Sequence, residues 1–338
     1  MKGAKIATMV DVASRAGVST STVSHVINQT RYVSEEVTSR VHEAMEELNY
    51  QPNVVARSLR TRESRIIGVV VSDVTNPFFT ASVRAIEDEA ITHKYNIILC
   101  DTDEKPRREA EYLNILFNRR VDGLIVSPSL ENADLIASMV ESGTPIVLLD
   151  REIPGLDVDV VGCDNEGGAY EAVTHLIDCG HRRIGIIAGR LEVSTGAERM
   201  AGYERALREH DIPIDEALTR SANFSRSLAY QKTTDLLKSS DPPSALFVCN
   251  NTMTLGALAA MSELGLKVPD DVSVVGFDDT EWAALMDPPL TVVSQPVKEL
   301  GTKATEILIR RIRAGFVKKT HKLTFAPELI VRASCRNI

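Results

Sequence analysis

From residue 66 onward the chain alternates short, continuous apolar runs with longer helical stretches, and no other feature restricts its fold as strongly. The runs span 66–71, 96–100, 123–126, 146–149, 158–162, 184–188, 245–248 and 272–277. Between them lie helical stretches over 81–93, 107–117, 133–141, 167–178, 197–210, 227–237 and 253–264. Strands that are apolar on both sides need helices on both faces, so the alternation predicts parallel sheets in an α/β body. Eight such runs are too many for one small sheet. Two doubly wound subdomains are expected, with a ligand crevice at the carboxyl ends of the strands. The last part recrosses through TVVSQP, a helix over 297–314 and a final strand pair around 323–331. Crossovers between the subdomains are expected near 163 and 295.

A different pattern precedes this body. Val10, Val12, Ala13 and Ala16 recur at helical spacing, and Gly17 supplies a left-handed stop. Ser19 is an N-cap candidate for a second helix over 20–28, with Val23, Val26 and Ile27 on one face. Ser34 is expected to cap a third helix, with Val37, Val41, Ala44, Met45 and Leu48 inside and Glu35, Arg40, Glu43, Glu46 and Glu47 outside. Two helices joined by a Gly-headed turn and braced by a third form the helix-turn-helix pattern. In that motif the start of the second helix meets base edges in the major groove. Its polar face here is Thr20, Ser21, Ser24 and His25. Such a face also suits a small solvated bundle; the conjunction of turn, caps and face favours DNA. Gln51-Pro52 ends the third helix. Residues 53–60, NVVARSLR, read as one more helix capped by Asn53, too short to stand alone in water. A helix that needs a partner to form is suited to switching.

The net charge of −9 is unusual for a DNA binder, but it is unevenly spread. Residues 1–65 hold nine Lys/Arg against seven Asp/Glu, and the remainder holds 29 against 40. The mild basic excess sits in the headpiece, and an acidic body keeps nucleic acid at the tip. The five cysteines are scattered, with no C-x-x-C pair and no metal-ligand spacing. Free buried thiols are therefore expected at Cys100 and Cys249, in a reducing compartment. MKGAKIATM has no signal-peptide core and no long apolar run follows, so a cytoplasmic protein with no membrane partner is expected. The turn after the first strand lacks G-x-G-x-x-G, and no P-loop, G-x-S-x-G or H-E-x-x-H occurs. No enzyme, cofactor or metal is expected, and His175 and His181 read as structural.

Polar and aromatic residues gather at the strand ends: Asn76, Phe78 and Phe79; Asp150 and Arg151; Arg199; Phe224; Asn250; Asp278; and Gln295. Singly, each reads as a core aromatic, a helix cap or a surface ion pair. Together they suit a sugar, which has apolar C–H faces and a belt of hydroxyls that both donate and accept. The phenyl rings offer flat faces, the carboxylates accept, the arginines donate in forks, and the amides do both. A site this dense in polar groups rejects ligands that leave them unpaired.

MVDVASRAGVSTSTVSHVIN and PNVVARSLR closely resemble the headpiece and hinge helix of the lactose-repressor family, particularly its purine and ribose repressors. The resemblance implies that Thr20, Ser21 and His25 face bases and that Arg31 reaches a base from the following loop. It implies that Leu59 wedges into the minor groove at the operator centre, with Arg57 and Arg60 beside it near phosphates. The body resembles the periplasmic sugar-binding-protein fold of the same family. NPFF, LDR, the Arg of GAERMAG, the Phe of SANF, the Asn of VCNN, GFD and the Gln of SQP are similar to the ribose-contacting positions of the periplasmic ribose-binding protein. One departure is Asn250-Asn251, where the family usually has Asn-Asp; it bears on the local helix cap and its charge.

The implied layout is an all-α helix-turn-helix headpiece over 1–52 and a hinge helix and linker over 53–65. A periplasmic-binding-protein-like α/β body of two doubly wound subdomains follows over 66–338, for sugar binding and dimerisation. The implied function is a homodimeric repressor of a sugar-utilisation operon, bound to a palindromic double-stranded operator and released by D-ribose. The alternatives are another sugar, such as allose or a second pentose, or a phosphoprotein corepressor as in the catabolite-control branch.

Overall fold

Three described helices build Met1–Ser64, the first of the two compact units into which the chain divides; the second is Arg65–Ile338. The computed structural model describes residues 7–28, 30–51, 63–315 and 320–338. Helix α1 (Met9–Ala16) starts at Thr8 with a reciprocal capping box: Asp11 N donates to the Thr8 hydroxyl at 3.4 Å and Thr8 N to the Asp11 carboxylate at 2.9 Å. Gly17, at φ 64°, ends it. Helix α2 (Thr20–Asn28) begins with Thr22 N donating to Ser19 Oγ at 3.1 Å. Helix α3 (Glu35–Glu47) follows Ser34, whose hydroxyl makes no capping bond, contrary to expectation. Glu35 and Glu36 instead place negative charge at the positive end of the helix. Val12, Ala13, Ala16, Val23, Val26, Val41 and Ala44 close the core. Val10, expected with them, is 65% exposed. At about 100° per residue it stands nearly opposite Val12 on the helix. The expected hinge helix over 53–60, with Arg57, Leu59 and Arg60, lies outside the described residues.

In the second unit, β1 (Ile66–Val71), β2 (Asn96–Asp101), β3 (Gly123–Val126), β4 (Ile146–Leu149), β5 (Asp159–Cys163) and β11 (Lys322–Phe325) form a parallel sheet in the order β11-β5-β4-β3-β1-β2. A second sheet has the order β12-β10-β9-β8-β6-β7. It comprises β6 (Ile184–Ala188), β7 (Thr219–Ser221), β8 (Ala245–Val248), β9 (Ser273–Phe277), β10 (Thr291–Ser294) and β12 (Glu328–Ile330). It is parallel except where β12 pairs with β10. Apolar side chains alternate between two cores on the first sheet. Ile67, Val69 and Val71 pack with α4 (Pro77–Thr92) and α12 (Val297–Ala314). Val70, Leu124 and Leu148 face the opposite core, with α5 (Pro106–Asn118) and α6 (Ala133–Glu141). The second sheet is enclosed by α7 (Asn165–Asp178), α8 (Ser194–Glu209), α9 (Arg226–Leu237) and α10 (Asn251–Glu263); α11 (Glu281–Leu285) is a single short turn. Backbones approach closely in the helix pairs: a Cβ on Gly202 would meet Glu166 O at 2.3 Å, and one on Gly256 would meet Arg226 O at 2.2 Å.

The chain passes from the first sheet to the second after β5, returns after β10, and crosses a third time between β11 and β12. That third crossing corrects the expected terminal strand pair: β11 joins β5 and β12 joins β10, so the two strands do not pair with each other. Pro327 lies between them and has no N–H to offer a hairpin ladder. In each sheet the strand order reverses beside the first strand, between β1 and β3 and between β6 and β8. Crevices form at such points, outside the carboxyl ends of the strands. The five cysteines are free thiols. His181 is fully buried between Ser244 Oγ (2.8 Å) and Ser273 Oγ (2.9 Å), and burial lowers its pKa. Among the described residues no helix is long and apolar enough to cross a membrane.

Candidate functional site

In the first unit, Thr20, Ser21 and Arg31 are exposed and His25 is half-buried. His25 Nδ1 lies 2.8 Å from the Thr30 hydroxyl, which pins the imidazole ring. Tyr32, beside Arg31, is 93% exposed.

In the second unit the fold brings all ten strand-end residues to one cavity between the two sheets. Asn76 and Asn250 do double duty. Asn76 Oδ1 accepts from Phe78 N (2.9 Å) and caps α4; Asn250 Oδ1 accepts from Met253 N (2.8 Å) and caps α10. Phe78 and Phe79 meet edge to face, with centroids 5.1 Å apart. Asp150 and Asp278 occupy equivalent places. Each follows a strand with φ in the left-handed region (69° and 75°), and each backbone N–H donates to the neighbouring strand, Val161 O and Val293 O, at 2.9 Å. Phe224 also has positive φ, 60°. Non-glycine residues held this way cost roughly 1–3 kcal/mol each, and Asn49, Lys94 and Arg120 hold the same conformation away from the cavity.

The polar groups are tied together. Gln295 Nε2 donates to Asp278 Oδ1 at 2.7 Å. Arg199 is 3% exposed; its Nε donates to Asn165 Oδ1 (2.9 Å), its Nη1 to Cys249 O (2.5 Å), and its guanidinium lies 3.6 Å from the Phe277 centroid. Arg151 sits 5.5 Å from the Phe224 ring centroid. Burial pushes the Asp150 carboxyl up to about 6 against the opposing pull of Arg151 and Arg199. Among the described residues, Arg151 Nε and Gln295 Oε1 are buried without a hydrogen-bond partner.

Sequence reasoning missed Asp73, Glu104 and Thr195, which also line the cavity. Glu104 follows the end of β2, so the strand-end rule reaches it once β2 is included. Asn251, singled out only as a departure, bridges the subdomains: its Nδ2 donates to Asn76 Oδ1 (2.8 Å) and Asp278 Oδ2 (3.1 Å). An aspartate there could not donate and would face the Asp278 carboxylate. A second bridge, Arg190 to Glu131, closes at 2.9 Å. The cavity is small, about 30 Å³, room for a couple of waters, so a larger ligand seats only when the lining side chains part. A neighbouring cavity of about 160 Å³ shares Asp150, but its lining sets five carboxylates against one lysine and has no aromatic face.

A helix-turn-helix unit followed by a two-sheet body with a polar crevice is the layout of a transcriptional regulator. Residues 8–53 match bacterial regulatory proteins of the lacI family, and residues 173–335 match a periplasmic binding protein-like domain. The HTH-type transcriptional repressor PurR of Haemophilus influenzae (strain PittEE) is 38% identical over 338 residues, covering 98% of this chain and 100% of that protein. The lac repressor dimer bound to operator and the anti-inducer ONPF superimposes with a TM-score of 0.86 at 32% identity, over 98% of this chain and 100% of that one. A LacI family transcriptional regulator from Enterococcus faecium with bound ribose gives a TM-score of 0.73 at 31% identity, over 81% and 99%. The chain belongs to the lacI family of bacterial regulatory proteins and is a transcriptional repressor of that family.

Proposed function

We propose that this repressor acts as a homodimer on a palindromic operator and is released by a neutral sugar, D-ribose in the first instance. The observation that carries the ligand class is the pair of buried polar atoms without a hydrogen-bond partner in the protein, Arg151 Nε and Gln295 Oε1, in a cavity also lined by Phe78, Phe79 and Phe224. A hydroxyl satisfies either atom, since it both donates and accepts, and the C–H face of a sugar suits the rings. The ribose held by the related Enterococcus regulator supports the same choice. Thr20, Ser21, His25 and Arg31 read base edges; Arg57 and Arg60 hold phosphates; Leu59 wedges the operator centre. Ligand binding shifts the two subdomains, and the coupling required is of ordinary allosteric size, about 1–3 kcal/mol. A purine effector is the second reading, favoured by the identity to PurR.

Two measurements test this. A palindromic operator selected from a random DNA library should be released by D-ribose in a mobility-shift assay; release by hypoxanthine alone, or tighter binding with sugar, would sink the ribose assignment or its sign. Leu59→Ala should weaken operator binding by about tenfold or more, the scale of a lost minor-groove wedge, without changing sugar affinity. Loss of sugar affinity would mean that Leu59 supports the body instead.

Asp150 accepts more strongly from a ligand hydroxyl when ionised, because the bond is then charge-assisted. With its carboxyl raised to about 6, sugar affinity rises between about pH 5 and pH 7, by roughly several-fold in all, the difference between a charge-assisted and a neutral hydrogen bond, and then levels off. The unliganded protein shows the opposite trend from this group. A raised folded value contributes stability that is complete below the unfolded value of 3.8 and lost as pH climbs through 6. Titration calorimetry across this range that gave flat or falling affinity would remove Asp150 from the ligand contacts.

A further inference from the structure

We infer that Glu104 makes the crevice selective for uncharged ligands and shuts out phosphate esters and carboxylates of the same sugars. The inference rests on the sugar reading above and narrows it. Arg151 is the residue an anionic ligand would seek, because its planar fork binds carboxylate or phosphate through two parallel N–H bonds. That fork is taken. Nη1 donates to Glu104 Oε2 at 3.0 Å and Nη2 to Glu104 Oε1 at 2.5 Å. Arg151 is only 4% exposed, and its remaining edge, Nε with the second N–H of Nη2, has the Asp150 carboxylate 3.9 Å from Nε, so an anion approaching there meets Asp150 and Glu104 together.

Glu104 is held in place rather than swinging freely. Its backbone is at φ 52°, and its N–H donates to Ser72 O at 2.8 Å, just beyond β1. The other cavity guanidinium, Arg199, gives its Nε to Asn165 and its Nη1 to Cys249 O. Four carboxylates line the cavity (Asp73, Glu104, Asp150 and Asp278) against the two guanidiniums. A phosphate entering this lining meets an excess of its own charge, and it gains the end-on fork of Arg151 only by displacing Glu104. Like charges brought together in a buried site discriminate by about a hundredfold or more.

The test is calorimetric titration of the full-length protein with D-ribose and D-ribose 5-phosphate, beside hypoxanthine and inosine monophosphate. Wild type should prefer the neutral member of a pair by about a hundredfold. Glu104→Gln keeps the side-chain shape and removes the charge; it should narrow that preference by about tenfold or more, chiefly by gaining the ester. Glu104→Asp, which keeps the charge, should retain the preference, and thermal melting of each variant establishes that it is folded. Ester binding by wild type within tenfold of the sugar, or an unchanged ratio in Glu104→Gln, overturns the inference. Hypoxanthine binding without D-ribose binding would end the sugar reading, yet the charge rule would stand if inosine monophosphate were still excluded. Binding of none of the four overturns both.

Discussion

Arg199→Ala will melt the body roughly 10 °C earlier and remove ligand binding in the crevice. Arg199 connects α8 to α7 through Asn165 Oδ1 and to the end of β8 through Cys249 O, and its guanidinium covers the Phe277 ring. Truncation leaves two buried acceptors without donors, at roughly 1–3 kcal/mol each, and opens a cavity over the ring. Together these come to about 3–5 kcal/mol, the range found when one partner of a buried charged network is removed. In a unit of this size each kcal/mol moves the melting temperature by roughly 2–4 °C. The loss also strips Asp150 of a nearby positive charge, so its carboxyl shifts further toward the neutral form. Arg199→Lys should recover little, since an ammonium cannot reproduce the planar fork or its stacking. Differential scanning calorimetry decides the point: a melting temperature within about 2 °C of wild type would show that the network contributes little.

Gly189→Ala should do the reverse, with a large effect on ligand and a small one on stability. Gly189 directly follows β6, and a Cβ there would lie 2.2 Å from Phe224 Cε1 and 2.3 Å from Cζ. The ring must leave its seat beside Arg151, because alanine itself fits this backbone without strain. A sugar then loses one of its apolar faces, a burial of about 1.5–3 kcal/mol, or roughly 10–100-fold in affinity. Phe224 is only partly buried, so the melting temperature should move by no more than a few degrees, about 1 kcal/mol. Operator binding without sugar should be unchanged in a mobility-shift assay. Unaltered sugar affinity in calorimetry would mean that Phe224 does not touch the ligand.

Periodicity exposes elements that are apolar and hides those that carry function. Helices α6 and α12 match the expected 133–141 and 297–314, because their apolar faces run to both ends. Helices α4, α8 and α10 begin two to four residues before the expected 81, 197 and 253, at Pro77, Ser194 and Asn251. Their first turns lie at the crevice, where polar residues and, in α4, a Pro-Phe-Phe run serve the site and break the apolar spacing. Strand β7, with the polar sequence Thr219–Ser221 at a sheet edge, carried no apolar signal and was missed. Strand β12 was visible, but its partner was not, since pairing across a crossover leaves no local trace.

The sequence alone determined what depends on neighbours within a few residues. That includes the helix-turn-helix pattern, the strand–helix alternation, and the chemical types waiting at the strand ends. The tertiary structure decided which of those groups meet. Only folding places Glu104, from beyond β2, against Arg151, from beyond β4, and sets Asn251 between Asn76 and Asp278 across the crevice. Only folding withdraws Arg151 Nε and Gln295 Oε1 from water with no hydrogen bond in the protein to replace it. Local structure follows from short-range periodicity and capping, whereas a site is made of contacts between residues far apart in the chain, and its electrostatics exist only once those residues share a low-dielectric space.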